Sequence, residues 1–229
     1  VLENAQVRVE FRALDGPRGD PDALVLSHMT PLPDRPGLIF RRCYHYPFWQ
    51  IEAQPERWLW DVAAARFDPE VSYHEAATRF YRFWQKRLFG EAPAAATSDG
   101  AVYVPLQGRL LQQRSFQSCS PLEMLEHVMA HEDRPVLAAL HPKENYDAAE
   151  LDALQALAAR HPRLELTTGG MERHLQSCPY VVTQNSAAAF SGYFFGKPAL
   201  LFGECDFHHI GVAANLSDLS ASFDAVRRA

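Results

Sequence analysis

Short apolar runs alternate with amphipathic segments throughout the second half of the chain, and this alternation predicts parallel strands joined by helices. The predicted strands are 101–106, 135–140, 164–168, 180–183 and 198–202. The predicted helices are 121–131, 147–159, 171–176, 187–195 and 219–228. Since strands and helices that alternate in this way form a parallel sheet with right-handed crossovers, the pattern indicates a Rossmann-like α/β domain.

The first ninety or so residues have a different pattern, with fewer alternations of strand and helix. Strands are predicted at 6–11, 23–27 and 37–42, between turns rich in Pro, Gly and Asp. Aromatic residues then crowd into 44–60 and continue along a helix predicted at 73–88. Such aromatics can stack on a sugar or a base, but they more often fill a core or a domain interface, which we favour here.

Residues 91–100 are small and include a proline, which is the composition of a linker. We therefore place a domain boundary there. An aromatic-rich α+β part is expected at 1–92, and a Rossmann-like domain at 101–229.

Composition excludes several classes of protein. The 229 residues are 47% hydrophobic and 22% charged, which is enough apolar material for one large or two small cores. A net charge of −6, with Lys and Arg dispersed, disfavours a nucleic-acid binder. No apolar run approaches the roughly 20 residues of a transmembrane helix, and no signal-peptide pattern is visible, so a cytoplasmic location is the default expectation. A chain that begins at Val1 suggests a fragment of a longer protein.

Polar residues follow two of the predicted strands directly. His141 and Lys143 follow the strand at 135–140, and Asn185 and Ser186 follow the strand at 180–183. The carboxyl ends of parallel strands meet at one edge of the sheet, where ligands bind in open α/β folds. Helix amides behind Ser186 would attract an anion, although an Asn-Ser pair can also cap a helix and bind nothing. The convergence of these residues predicts a phosphate site.

Three further residues lie at the same predicted edge. Gln107 closes the first strand of the domain, and Glu204 and His208 follow the last. Gln107 could hydrogen-bond a ligand at this edge or be an ordinary loop glutamine. Lys143 could bind phosphate or pair with Glu144. Glu204 or His208 could orient a sugar or ribose, or His208 could be an ordinary loop residue.

The sequence favours chemistry without a metal. Residues 205–209 crowd Cys, Asp and His together, but adjacent side chains point apart and no second ligand group has matching spacing. Asp20-Pro21-Asp22 matches a D-x-D motif only in letters, because it lies in a turn-like stretch. The four cysteines are widely separated, and we interpret them as reduced thiols.

Four segments together resemble a known family. They are Val-Tyr-Val-Pro-Leu-Gln at 102–107, Leu-His-Pro-Lys at 140–143, Thr-Gln-Asn-Ser at 183–186 and Gly-Lys-Pro at 196–198. Their order and spacing resemble the C-terminal, nucleotide-binding domain of the capsular polysaccharide biosynthesis glycosyltransferases, which include CMP-Kdo-dependent transferases. The resemblance covers about residues 101–212, and only a looser likeness at 46–52 precedes it.

The resemblance implies a GT-B fold, in which two Rossmann-like domains face a cleft and the second domain holds most of the sugar nucleotide. It implies that His141 approaches the nucleotide phosphate and that Ser186, with the amides behind it, contacts phosphate too. An imidazole and a helix dipole can offset charge on a departing CMP without a metal, and no cofactor is implied. The expected fold class is therefore α/β and GT-B-like, with a smaller α+β N-terminal part.

The N-terminal part departs from this family, because a complete GT-B enzyme has two full α/β domains. The acceptor side looks truncated or remodelled. Catalytic acids or bases often come from that domain, so the catalytic group stays unassigned. Glu52 and Asp61, near the aromatic segment, are the candidates.

The leading hypothesis is a metal-independent glycosyltransferase of surface (capsular) polysaccharide biosynthesis. It would move a sugar from a nucleotide donor, CMP-Kdo being favoured, to a glycan or glycolipid acceptor, and it could associate peripherally with a membrane. The alternative is a non-catalytic nucleotide- or glycan-binding module derived from a GT-B fold. A third interpretation is a sugar-nucleotide epimerase or a related hydrolase.

Overall fold

The computed structural model describes residues 8–13, 15–17, 19–30, 37–66, 68, 70 and 74–229. The chain divides into two compact units, residues 1–60 and residues 61–229. A small mixed sheet forms the first unit, and a six-stranded parallel sheet flanked by helices forms the second. This confirms the predicted α/β, GT-B-like fold class.

The first unit contains the strands β1 (Val25–His28), β2 (Gly37–Arg42) and β3 (Trp49–Glu52). The central β2 pairs parallel with β1 and antiparallel with β3. The rings of His28, Phe40 and Trp49 pack together, with centroids 5.0 to 6.3 Å apart. The aromatic segment therefore supplies a strand that the sequence pattern missed.

The predicted strand at 6–11 is wrong where the structure describes it. Residues 8–11 are exposed and contain no strand, while residues 6 and 7 lie outside the described residues. An apolar–polar alternation forms a strand only when a neighbouring strand satisfies its backbone groups, and 8–11 pair with none of the described strands.

The second unit holds the parallel sheet. Its strands are β4 (Val102–Pro105), β5 (Val136–Leu140), β6 (Leu164–Thr168), β7 (Val181–Thr183), β8 (Ala199–Leu201) and β9 (Val212–Ala213). Their order across the sheet is β6-β5-β4-β7-β8-β9, and every pairing is parallel. The chain thus adds β5 and β6 on one side of β4, and then crosses back to add β7, β8 and β9 on the other side. The boundary between β4 and β7 is a topological switch point, where open α/β sheets bind ligands at the carboxyl ends of their strands.

The helices of the second unit are α1 (Asp61–Ala64), α2 (His74–Phe89), α3 (Pro121–His131), α4 (Ala148–Arg160), α5 (Met171–Ser177), α6 (Ala187–Tyr193) and α7 (Leu219–Arg228). Ser120 and Glu123 form the predicted capping box at the start of α3. Asp147 and Glu150 form a second capping box at the start of α4. Among the described residues, no helix combines the length and apolar character needed to cross a bilayer.

The main core lies on one face of the sheet, where Val102 and Val104 of β4 join α3, α4 and α7 through residues such as Met124, Leu157 and Phe223. Alternate residues of a strand point to opposite faces, so Tyr103 packs on the other side, with its ring 5.3 Å from that of His174. Burial raises the pKa of the nearby Cys178 thiol to about 12, which marks it as a packing residue.

The segment predicted as a linker lies within the second unit, where hydrogen bonds hold it in place. A 3-10 turn spans Ala92–Ala95, and the amide of Thr97 donates to the Gln176 carbonyl at 2.6 Å. Lys197, only 6% exposed, donates through Nζ to the Thr97 carbonyl. The Gly-Lys-Pro segment therefore has a structural contact that its sequence did not indicate. The assignment of 1–92 and 101–229 to acceptor and donor domains stays a prediction.

Candidate functional site

The carboxyl ends of β4 and β7 are joined directly by a side chain. Thr183, fully buried at the end of β7, donates through Oγ1 to the Pro105 carbonyl at the end of β4, at 3.0 Å. The next residue, Gln184, donates through Nε2 to the Cys119 carbonyl at 2.9 Å. The segment that follows β7 is therefore fixed against the loop that follows β4, at the switch point of the sheet.

That loop, residues 107–119, spans the carboxyl ends of the strands. It leaves β4 and reaches the end of β8, where the Ser118 amide donates to the Phe202 carbonyl at 2.8 Å. The Glu204 amide donates back to the Phe116 carbonyl at 2.8 Å, and Gln117 forms a β-bridge with Gly203. The 107–119 loop thus lies where a ligand of the switch point would contact it.

His141 lies in an exposed turn directly after β5. Its ring Nδ1 accepts a hydrogen bond from the Lys143 amide at 3.2 Å, and its own amide donates to the Tyr146 hydroxyl at 2.9 Å. Because Nδ1 acts as an acceptor, the neutral imidazole carries its proton on Nε2. His141 therefore presents a hydrogen-bond donor outward, with the exposed Lys143 on the same turn.

Asn185 and Ser186 have local partners at the end of β7. Asn185 is 5% exposed and donates through Nδ2 to the Glu204 carbonyl at 3.0 Å, which ties the ends of β7 and β8 together. Ser186 caps α6 by accepting the Ala188 amide at 3.2 Å. The hydroxyl proton of Ser186 is not used in this bond, so it can still donate to an anion. Glu204 itself is exposed.

Gln107 and His208, the remaining predicted residues of this edge, differ in their hydrogen bonds. Gln107 is partly buried directly after β4, and its Oε1 is enclosed with no hydrogen-bond partner in the described part of the chain. His208 lies in the loop between β8 and β9 and donates through Nδ1 to the Cys205 carbonyl at 2.7 Å. Its Nε2 is therefore an acceptor in the neutral form, the opposite arrangement to that of His141.

The two candidates for an acid or base lie in different compact units. Glu52 is at the end of β3 and accepts a hydrogen bond from Gln50 Nε2 at 2.7 Å. Asp61 is exposed at the start of α1. Their catalytic roles stay predictions.

The sequence pattern missed a set of enclosed polar groups at this edge. Six buried side-chain nitrogen or oxygen atoms have no hydrogen-bond partner within the described residues, and five of them belong to the 107–119 loop or to Gln184. Those five are Gln107 Oε1, Arg114 Nε, Arg114 Nη2, Gln117 Nε2 and Gln184 Oε1. Buried polar atoms normally have hydrogen-bond partners. A concentration of buried polar atoms without partners at a ligand-binding edge therefore indicates groups that hydrogen-bond a ligand or water. The run of Arg and Gln at 107–114 was the available signal.

Within the described segments, no group of three or more His, Cys, Asp and Glu side chains is arranged to hold a metal ion. At 205–209, Cys205 is buried and its carbonyl accepts the His208 hydrogen bond. The structure thus gives this segment a packing and turn-forming role.

No family model matches the sequence, and no curated protein matches it. Among solved structures, the chain is similar to Thermosulfurimonas dismutans KpsC, described as a beta Kdo 2,7 transferase. The match has a TM-score of 0.52 at 14% sequence identity, and covers 96% of this chain and 72% of that one. At this identity the likeness shows the fold alone.

Proposed function

We propose that this protein is a glycosyltransferase-like protein of surface polysaccharide biosynthesis, and that its parallel-sheet unit binds a nucleotide sugar at the β4–β7 switch point. The observation that supports this most directly is the hydrogen bond from Thr183 to the Pro105 carbonyl, which joins the ends of β7 and β4. The turn that carries His141 follows the neighbouring strand β5. Both the motif resemblance and the Kdo-transferase fold support this function.

The chemistry of the site fits a departing nucleotide phosphate. His141 offers Nε2 as a donor, Lys143 offers a cation, and Ser186 offers a hydroxyl proton beside the first amides of α6. These groups offset negative charge that develops on the leaving phosphate as the glycosidic bond breaks. Gln107 and Glu204 would then hydrogen-bond the base, ribose or sugar, and His208 would accept from a hydroxyl.

The proposed donor is CMP-Kdo and the proposed acceptor is a glycan or glycolipid, with the reaction taking place in the cytoplasm. Peripheral membrane association is supported by the exposed surface of α2. Phe80 and Phe83 are 55% and 60% exposed there. The basic residues of the helix are Arg79, Arg82, Lys86 and Arg87, against a single acidic residue, Glu75. A basic helix with exposed aromatics suits an anionic membrane surface.

Titration calorimetry with CMP, CDP and UDP tests the donor site. We expect CMP to bind and His141→Ala to weaken its binding by about 1–3 kcal/mol, the value of a hydrogen bond to a charged group. His161→Ala, at the far end of α4, is the matched control and should leave the affinity unchanged. A folded protein that binds none of the three nucleotides at millimolar concentration would overturn the proposal.

A non-catalytic binding module derived from the same fold is the second candidate. It is favoured by the small first unit, whose described strands form only a three-stranded sheet. A turnover assay separates the two functions. Release of CMP from CMP-Kdo in the presence of acceptor supports the transferase, and nucleotide binding without turnover supports the module.

A further inference from the structure

Arg114 has a guanidinium that is enclosed but unsatisfied. Its Nε and Nη2 atoms are buried, and neither has a hydrogen-bond partner among the residues that the structure describes. The guanidinium lies over the Phe116 ring, 4.8 Å from its centroid, and the Arg114 amide donates to Gln117 Oε1 at 2.8 Å. Backbone and ring thus hold the arginine in place, whereas two of its guanidinium nitrogens have no acceptor among the described residues. Leaving charged donors buried and unpaired is costly.

A second arginine on the same loop adds positive charge. Burial lowers the pKa of Arg114, the positive charge of Arg109 lowers it further, and the Glu144 carboxylate partly opposes both. Arg109 also has a backbone φ of +64°, a left-handed conformation that is unusual for a residue with a side chain. Strained backbone of this kind tends to occur at functional sites.

The Glu144 carboxylate marks where a negative charge is accommodated. It belongs to the turn after β5, yet a Cβ added to Gly108 would stand 2.6 Å from its Oε2. The carboxylate therefore rests against the backbone of the 107–119 loop at Gly108, the residue before Arg109. A side chain at position 108 would displace this carboxylate.

We propose that Arg109 and Arg114 form an oxyanion-binding subsite for the nucleotide-sugar donor, separate from the His141 and Ser186 contacts. The inference rests on the proposed function and identifies the ligand group as a phosphate or a carboxylate. A guanidinium fork matches either oxyanion bidentately, and a bound anion would relieve both the unpaired donors and the repulsion between the two cations. A donor that carries an acidic sugar has both groups, one on the nucleotide and one on the sugar.

Titration calorimetry with three probes tests the subsite and distinguishes its two anion sources. The probes are cytidine, CMP and CMP-N-acetylneuraminate, a nucleotide sugar that carries a carboxylate. If the subsite binds phosphate, Arg114→Met should weaken the binding of CMP by about 10- to 100-fold and leave the affinity for cytidine unchanged. If it binds the sugar carboxylate, the same loss should appear only with CMP-N-acetylneuraminate. Arg109→Met should give a smaller loss with the same probe.

Arg160→Met is the matched control, because this exposed arginine lies on α4 with a long 3.6 Å pairing to Glu126. Its affinities should equal those of the wild type. Arg114→Lys separates bidentate recognition from simple charge, and we expect it to recover less than half of the lost binding free energy. Unchanged affinity of Arg114→Met for both charged probes would overturn the subsite while leaving the proposed function intact. A wild-type protein that binds none of the probes would overturn both.

Discussion

The two edges of the parallel sheet differ in whether their buried polar groups have hydrogen-bond partners. At the amino edge, Glu132 accepts hydrogen bonds from the Tyr180 hydroxyl and from the Arg134 amide, and it pairs with Arg227 at 3.4 Å. At the carboxyl edge, Gln107, Arg114 and Gln184 each keep an enclosed atom without a partner among the described residues. Among the described residues, the Glu132 carboxylate at the amino edge is fully hydrogen-bonded, whereas polar side chains at the carboxyl edge are not.

The amino-edge network joins four elements. Glu132 follows α3, Tyr180 precedes β7, and Arg227 lies in the last turn of α7. Arg163, just before β6, donates through Nε to the Glu132 carbonyl at 3.0 Å. Because all these groups find partners inside the protein, the network contributes to stability and leaves nothing for a ligand. The contrast teaches that unsatisfied polarity in this fold is concentrated where ligands are expected.

The largest expected effect comes from breaking the amino-edge network. Glu132 is 3% exposed, so Glu132→Ala would leave the Tyr180 hydroxyl and the Arg134 amide without their acceptor, while Arg227 keeps Asp224 and the His131 carbonyl. We expect a loss of about 2–3 kcal/mol in the free energy of unfolding. Urea denaturation at pH 7 measures it. Glu126→Ala, an exposed carboxylate on the neighbouring helix, should change stability by less than about 0.5 kcal/mol. Equal effects of the two variants would show that the network carries no special stability.

The same carboxylate predicts a dependence of stability on pH. Burial opposes ionisation of Glu132, but the Tyr180 hydroxyl, the Arg134 amide and the Arg227 charge together lower its pKa below the usual value. A lowered folded pKa means that the stabilisation is complete above the unfolded pKa of about 4.3, and is lost as the pH falls through the folded value.

Glu132→Gln keeps the shape and removes this titration. We expect it to lower the free energy of unfolding by about 1–2 kcal/mol at pH 7, and the difference from the wild type to shrink toward pH 3. Urea titrations of both proteins from pH 3 to pH 7 measure the difference. A gap that stays constant with pH would contradict the assignment of the titration to Glu132.

Local patterns predicted the second unit well and the first unit in part: β2 has the predicted bounds 37–42, and β1 overlaps the predicted strand at 23–27. The bounds of α3 and α7 match the predicted bounds, because a capping box begins α3 and an apolar period marks both helices. The first unit also contains β3, which lies within the aromatic segment, whereas the described part (8–11) of the strand predicted at 6–11 forms no strand. Pairing with another strand decides both cases. Strand formation depends on a distant partner that no local pattern contains.

The site shows the same division between local and distant information. Its edge followed from strand order, so Gln107, Asn185 and Ser186 could be placed from sequence. The 107–119 loop crosses from β4 to the end of β8, and only the folded chain brings Glu204 beside the Phe116 carbonyl of this loop. The buried contact of Lys197 with Thr97, 100 residues away, was equally inaccessible to local reasoning.

A carboxyl-edge substitution should move stability in the opposite direction from Glu132→Ala. Arg114→Met removes two enclosed donors that have no acceptor in the described chain and keeps the apolar stem over Phe116. We expect the free energy of unfolding to stay equal or rise by up to about 1 kcal/mol, since an unsatisfied buried cation is replaced by an apolar group. Urea denaturation without ligand measures it. A loss above 2 kcal/mol would mean that Arg114 is a structural residue like Glu132.

The smallest expected effect separates backbone strain from charge at Arg109. With φ at +64°, Arg109→Gly relieves a left-handed conformation that costs about 1 kcal/mol or more, offset in part by the greater chain entropy of glycine. Arg109→Ala removes the same charge but keeps the strain. We therefore expect the glycine variant to exceed the alanine variant by about 0.5–1 kcal/mol in unfolding free energy, with identical affinities for CMP. If the two variants were equally stable, the left-handed backbone would store no strain. If their affinities differed, the loop conformation rather than the charge of Arg109 would govern binding at the carboxyl edge.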